Sequence, residues 1–151
     1  LNDVLLAEGF ATRHVTCMPK NPDDPDCHVI NLVYCTSLSK WVWMDASFAG
    51  YWTDEAGTLL SIAEVRERVI AGKPVKAAPT LHHNADPYTE AVYLEYMTKN
   101  MYWFTTPVES RFDYETDGKS RQIALVLPGG KHGWEGRFYY TSDPAAFWCK
   151  P

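Results

Sequence analysis

The chain has 151 residues, of which 46% are hydrophobic and 22% are charged, so it can bury a core of its own and is not a disordered tail. Its formal net charge is −5 and it has no run of Lys or Arg, which argues against a nucleic-acid-binding protein and against a binder of membrane surfaces. No apolar stretch approaches the roughly 20 residues of a membrane span. We therefore expect one domain over residues 1–151 with no membrane span.

The first half of the chain predicts a short helix and three strands. Residues 1–9 predict a helix, because Leu1, Val4 and Leu5 share one face and Gly9 is a typical residue after a helix end. Strands are predicted where β-branched and aromatic residues are concentrated, at 11–18, 27–35 and 41–47. The polar turn 36–40 makes the last two strands a hairpin.

The predicted first helix has no capping residue ahead of its apolar face, as if the chain began inside a helix. We expect the natural protein to extend upstream of Leu1 and this helix to be truncated.

The second half predicts two helices and several short strands. Ser61 and Glu64 have the spacing of a capping box, which opens a helix that runs to about Ala71. Asp86-Pro87 predicts the start of a second helix that reaches about Met101. Short strands are predicted at 102–105, 108–115, 121–127 and 136–141. The fold class is therefore α+β, an antiparallel β-sheet packed against helices, with a core in 1–78 and a further helix and strands in 79–151.

The hairpin places a histidine and an aspartate close together. With the turn centred near residues 37 and 38, paired positions sum to about 75, which puts Asp45 diagonal to His28 and on the same face of the sheet. A carboxylate bonded to one imidazole nitrogen fixes the tautomer and stabilises the imidazolium, leaving the other nitrogen free as a general base. A purely structural His–Asp pair is the alternative.

Three segments in the first third of the sequence resemble the transglutaminase-like superfamily. Residues 5–13 (LLAEGFATR) resemble the helix end and the Gly-apolar-Ala-x-Arg turn of these proteins. His28 with Asn31 resembles the histidine strand of the family, and residues 41–47 (WVWMDAS) resemble its aspartate strand, where Trp-x-x-x-Asp-Pro-Thr is common. Here Ala46-Ser47 replaces Pro-Thr. The resemblance covers about residues 4–48, and the helix opening at Ser61 is similar to that of bacterial members.

The resemblance implies a papain-like α+β fold with a Cys-His-Asp triad that acts on amide or peptide bonds. His28 would be the general acid and base, Asp45 would orient it, and Trp43 would shape the site. In the family the cysteine begins the helix that ends before the Gly-apolar-Ala-x-Arg turn. The matching position lies one to three helical turns upstream of Leu1, so the chain alone is expected to be inactive. The resemblance implies a peptide or protein substrate and no cofactor or metal.

The four cysteines are Cys17, Cys27, Cys35 and Cys149. None forms a CxxC pair, and their spacing leaves both disulfide pairings and free thiols open. Cys27 points away from His28 because neighbouring residues of a strand face opposite sides. Cys17 lies in the preceding strand and can face His28 across the sheet, which makes it the alternative nucleophile within the chain; otherwise it is a buried thiol.

Other candidate sites have weaker support in the sequence. Asp23, Asp24 and Asp26 could bind Ca²⁺, but their loop lacks EF-hand spacing. His82-His83 could bind a metal, but a third ligand is missing. The aromatic residues Tyr96, Tyr102, Trp103 and Phe104 could stack on a sugar or a peptide, with core packing as the default.

Two further functions stay open from the sequence. One is a catalytically inactive module that binds a peptide or a glycan, and the other is a purely structural domain of a larger surface protein. Resemblance to bacterial members alone favours an extracytoplasmic location.

Overall fold

A computed structural model describes residues 1–21, 23–84, 86–114, 121–126 and 138–151. The helices are α1 (Asn2–Ala7), α2 (Ile62–Ile70), α3 (Glu90–Lys99) and α4 (Pro144–Phe147). The strands are β1 (Thr12–Met18), β2 (His28–Cys35), β3 (Lys40–Met44), β4 (Trp52–Thr53), β5 (Lys76–Ala77), β6 (His82–His83), β7 (Asp86–Pro87), β8 (Trp103–Pro107), β9 (Gln122–Leu125) and β10 (Phe138–Thr141).

Within the described residues, the main sheet has six strands in the order β10-β9-β8-β1-β2-β3. Its neighbours pair antiparallel except β9 and β10, which are parallel. The pairs β4–β5 and β6–β7 are small and separate. The predicted α+β class with a mostly antiparallel sheet is therefore confirmed, and the parallel pair departs from a wholly antiparallel sheet. Parts of the predicted strands 108–115, 121–127 and 136–141 lie outside the described residues.

The hairpin register is the one that the sequence predicts. Leu32 pairs with Trp43 and Val33 with Val42, so the paired positions sum to 75. The tight turn is completed by Ser39, whose φ of 52° lies in the left-handed region. Strand β3 ends at Met44, earlier than predicted, because Asp45 leaves the ladder and forms a bridge with Gly50.

The two faces of the sheet have different surroundings. The inner face carries the core side chains of the first three strands, which are Val15, Cys17, Ile30, Leu32 and Trp43, all 0% exposed. Buried residues of α2 and α3 join this core, namely Ile62, Val65, Tyr93 and Met97. The outer face, with Thr12 and Asn31, contacts α1, where the Asn2 side chain accepts a bond from Thr12 Oγ1 at 3.3 Å. The inner face therefore holds the site described below.

Helix α2 begins with the predicted capping box. The Ser61 hydroxyl accepts a bond from the Glu64 amide at 3.2 Å, and the Glu64 carboxylate accepts one from the Ser61 amide at 2.8 Å. Gly72 follows the helix with φ of 63°, a conformation that favours glycine.

The predicted start of the second long helix was wrong. Asp86 and Pro87 form strand β7 against His82 and His83, and α3 begins only after Thr89. The Thr89 hydroxyl accepts a bond from the Val92 amide, so a different capping residue opens the helix.

The described part of the predicted strand 108–115 is also irregular. Strand β8 continues to Pro107, after which Val108 is 56% exposed and Asp113 has φ of 54°. Helix α4 was not predicted, although Asp143 before Pro144 is a capping signal and its side chain accepts a bond from the Ala145 amide at 2.9 Å.

Candidate functional site

His28 and Asp45 meet on the inner face of the sheet. Nε2 of His28 lies 2.6 Å from Oδ2 of Asp45, and the two residues are 8% and 3% exposed. His28 is the first residue of β2, and Asp45 follows the last residue of β3, so the hairpin register alone brings them to the same edge. A short contact of this kind between a buried imidazole and a carboxylate is strong because water does not compete for it.

Asp45 is held by its own turn as well as by His28. Its Oδ1 accepts bonds from the amides of Ser47 at 2.9 Å and Phe48 at 3.3 Å. Its backbone exchanges two bonds with Gly50, at 2.8 and 2.9 Å. The carboxylate therefore points at the histidine with both of its oxygens bonded.

Tyr93, a residue that sequence reasoning missed, is a third member of the site and contacts Asp45. Its hydroxyl donates to Oδ2 of Asp45 at 2.6 Å and accepts from Nε1 of Trp43 at 3.1 Å. Burial, then the negative charge of Asp45, raises the pKa of the Tyr93 hydroxyl, which stays protonated as a donor. Tyr93 and Met97 are the buried residues of α3, so the helical spacing contained a signal for a core tyrosine whose hydroxyl needs a partner.

Trp43 lies behind the aspartate rather than beside the histidine. It is fully buried, its ring contacts those of Trp52 and Tyr93 edge-on, and its indole N–H reaches Asp45 only through the Tyr93 hydroxyl. Its contribution to the site is therefore to position Tyr93.

Aromatic rings enclose the imidazole of His28. The rings of Phe48 and Tyr96 lie edge-on to it, with centroids at 5.2 and 5.5 Å. Its side chain is 10% exposed. Within the residues that the structure describes, Nδ1 has no hydrogen-bond partner. With Nε2 occupied by Asp45, Nδ1 is the nitrogen that can exchange a proton with a group outside the sheet.

Cys17 lies directly opposite His28 in the β1–β2 ladder and is fully buried. No hydrogen bond joins its thiol to the ring in the described part of the chain. Burial, then the charge of Asp45, raises the pKa of the Cys17 thiol, which reduces the thiolate fraction that a nucleophile requires. The structure therefore gives no support to Cys17 as the nucleophile.

The other three cysteines differ in exposure, and all four cysteines are free thiols. Cys27 precedes His28 and is exposed, and Cys149 is exposed near the end of the chain. Cys35 lies at the hairpin turn, where bonds from Ser37 and the Leu38 amide lower the pKa of its thiol. In the part of the chain that the structure describes, none of these three thiols is bonded to the ring of His28.

The acidic loop before β2 is tied to α3. Nζ of Lys99 lies 3.1 Å from Asp24 and 2.6 Å from Asp26, and the Tyr96 hydroxyl bonds Asp26 at 3.4 Å. A backbone bond from Asp26 and the Lys99 ammonium lower the pKa of Asp24, and the same ammonium lowers that of Asp26. Among the described residues, no cluster of three His, Cys, Asp or Glu side chains could hold a metal ion.

The predicted aromatic group does not form one surface. Trp103 and Phe104 are 8% and 3% exposed and belong to opposite faces of β8, whereas Tyr102 is 37% exposed. Of the four residues, only Tyr96 contacts His28.

The described helices include none that is long and apolar enough to cross a bilayer. Comparison with known proteins found no matching family model, no matching curated protein and no matching solved structure.

Proposed function

We propose that this chain is the histidine–aspartate part of a transglutaminase-like, papain-fold domain that breaks and forms amide bonds through a thiol. The observation that carries the proposal is the buried bond between Nε2 of His28 and Oδ2 of Asp45, with no hydrogen-bond partner for Nδ1 among the described residues. A thiol and an oriented imidazole are the two groups that acyl transfer through a thioester needs.

In this proposal the nucleophile belongs to a segment that precedes Leu1 in the intact protein. Leu1, Asn2 and Asp3 line a cavity with Val29 and Asn31, whereas Leu6 lines another cavity with Trp41. Helix α1 therefore runs along β1 in the opposite direction, and a continuation upstream would travel toward the end of the sheet where His28 lies.

The distance along that path is short. From the level of Asn31 to that of His28, three strand residues span about 10 Å, which a helix covers in roughly seven residues. Val29, next to His28 but on the outer face, is 47% exposed along this path. A helix start at the sheet end would offer free N–H groups and a dipole that favour a thiolate.

In the proposed reaction, each residue has a role that its position in the structure supports. The thiolate attacks the amide carbonyl carbon, and His28 gives a proton to the leaving amine as the C–N bond breaks. His28 then takes a proton from the water or amine that attacks the thioester, and the C–S bond breaks to release the thiolate. Asp45 holds the imidazole and stabilises its charged form, and Tyr93 keeps Asp45 in place.

The proposal is tested with the intact protein by alkylation with iodoacetamide below neutral pH, followed by peptide mapping. We expect a cysteine that opens the helix upstream of Leu1 to react at least tenfold faster than Cys149, and His28→Gln to abolish that advantage. The 151-residue chain alone should hydrolyse no amide.

The matched control is His82→Gln, because the His82 side chain is exposed and its ring bonds the Thr80 carbonyl, away from Asp45. The proposal would be overturned if the upstream cysteine reacted equally fast with and without His28. It would also be overturned if the 151-residue chain alone hydrolysed an amide in a His28-dependent way.

A binding module without a nucleophile is the second candidate, and the rings near His28 favour it. Phe48 packs against Tyr96, Tyr88 and the exposed His83, with centroids 4.9 to 5.9 Å apart. Phe48 is buried, whereas Tyr88 and Tyr96 are partly exposed and His83 is exposed, and exposed ring faces of this kind can stack on a peptide or a sugar. A Ser or Ala at the upstream position, with peptide binding that survives His28→Gln, would favour this candidate.

A further inference from the structure

An unpaired cation lies at the end of the sheet opposite to His28. Arg13 is only 9% exposed, and its Nε and Nη2 atoms are buried without a hydrogen-bond partner among the described residues. Arg13 precedes Cys17 by four strand positions, so the two ends are roughly 13 Å apart. This feature is independent of the proposed triad.

Aromatic rings surround the guanidinium. Its central carbon lies 4.6 Å from the ring centroid of Trp41, 5.8 Å from that of Phe147 and 5.9 Å from that of Trp148. Cation–π contacts stabilise the charge, but rings do not replace the oxygen acceptors that the N–H groups of a guanidinium prefer. Burial lowers the pKa of Arg13 to about 10, so it is still charged at neutral pH.

A buried N–H group without an acceptor costs about 1–3 kcal/mol, and more when the group is charged. Native proteins keep few such groups, and an arginine in this state is a sign that an oxygen acceptor is to be supplied.

A cavity of about 320 Å³ adjoins Arg13. Lys150, which is exposed, and the hydroxyl-bearing Ser110 line the same cavity. Its apolar wall includes Leu6, Trp41 and Val108. No Asp or Glu side chain is among the described residues that line it. The cavity therefore combines two cations and a hydroxyl with an apolar wall.

We propose that this cavity binds a small organic carboxylate with an apolar body, its carboxylate on Arg13 and Lys150 and its body against Trp41 and Val108. A planar carboxylate matches the fork of a guanidinium, and the apolar wall selects a ligand with a hydrophobic group over a bare inorganic anion.

The indole N–H of Trp41 supplies a spectroscopic reporter at the site. It donates to the Cys149 carbonyl at 2.8 Å, at the wall of the cavity, and its NMR signal is assigned by Trp41→Phe. The probes are N-acetyl-phenylalanine, its neutral amide and inorganic phosphate. We expect only the carboxylate to move the Trp41 signal saturably.

Three variants test whether binding depends on the positive charges that line the cavity. Lys150→Gln should weaken binding several-fold, Arg13→Met should weaken it about tenfold or more, and Lys73→Gln, which changes an exposed lysine elsewhere, should have no effect. If Arg13→Met does not fold, the neutral amide probe and the Lys150→Gln variant still test the proposal. Equal binding of the amide, tighter binding of phosphate, or binding unaffected by Lys150→Gln would overturn the proposal.

Discussion

Tyr93 and His28 bond the same oxygen atom of Asp45, each at 2.6 Å. The two donors come from distant parts of the chain, one from a helix and one from a strand. Their shared acceptor makes the aspartate the junction between the hairpin and α3.

Replacing Tyr93 with Phe should weaken this junction. The change removes one bond to a charged acceptor and leaves the Trp43 indole N–H without its acceptor, so we expect a loss of about 1–3 kcal/mol in the free energy of unfolding. Urea denaturation measures it. Tyr102→Phe is the control, because Tyr102 is 37% exposed and lies outside this network. Equal effects of the two changes would contradict the role given to Tyr93.

Replacing Asp45 with Asn should cost more than replacing Tyr93. The amide can keep an oxygen toward the Ser47 and Phe48 amides, but its NH₂ group then faces the Tyr93 hydroxyl and His28. Losing one partner of a buried ion pair costs about 3–5 kcal/mol, which exceeds the loss expected for Tyr93→Phe. Urea denaturation of the two variants side by side measures both losses, and a loss for Asp45→Asn no larger than that for Tyr93→Phe would argue against the ion pair.

The four thiols should react at very different rates. Cys27 and Cys149 are exposed, and Cys35 has a lowered pKa, so all three should react with a disulfide reagent in the folded protein. Cys17 is 0% exposed and its pKa is raised, so it should react only after denaturation. Mass spectrometry of the labelled protein identifies each site. Rapid labelling of Cys17 in the folded state would reopen it as a nucleophile.

The pair formed by Lys40 and Glu64 should stabilise the protein only above the acid range. Burial raises the pKa of Glu64, but bonds from Lys40 and from the Ser61 amide outweigh that effect and hold it below its ordinary value of 4.5. A carboxyl whose pKa is lowered by folding stabilises the folded state above the ordinary pKa, and this contribution is lost as pH falls through the lowered value.

Glu64→Gln keeps an oxygen for the capping box and removes the charge. We expect it to cost about 0.5 kcal/mol at neutral pH, because both side chains are partly exposed, and nothing well below pH 4.5. Glu67→Gln, an exposed change on the same helix, is the control for urea denaturation at both pH values. A cost that persists in acid would show that the charge of Glu64 is not its source.

The sequence predicted those parts of the fold and the site that depend on local pattern. The pairing of Leu32 with Trp43 followed from turn length alone, and the helix after Ser61 followed from its capping residues. The position of Tyr93 against Asp45 depends on how α3 packs across the sheet, which no spacing within the hairpin specifies. The start of α3 was misplaced because Asp86-Pro87 fits a helix start as well as it fits the short β7 strand that it forms.

Gly50 shows how closely the helix and the turn approach. A Cβ at this position would lie 3.2 Å from the Tyr93 ring and 3.3 Å from its hydroxyl oxygen, closer than most side chains tolerate. Gly50→Ala should displace the ring and destabilise the protein by about 1–3 kcal/mol. The Gly57→Ala change is not a neutral control, because Gly57 has φ of 82°. Urea denaturation of Gly50→Ala alongside Tyr93→Phe and of the double variant shows whether the two act through the same contact, and additive losses would contradict it.

The turn after Asp45 holds the carboxylate through backbone amides alone. The carboxylate takes its backbone bonds from the second and third residues that follow, Ser47 and Phe48, and none from Ala46. The Ala46 amide therefore has no part in holding the carboxylate, and a proline at position 46 would remove neither of these two donors. What holds the acid in this turn is therefore two backbone amides at fixed places, and not the particular side chains of Ala46 and Ser47.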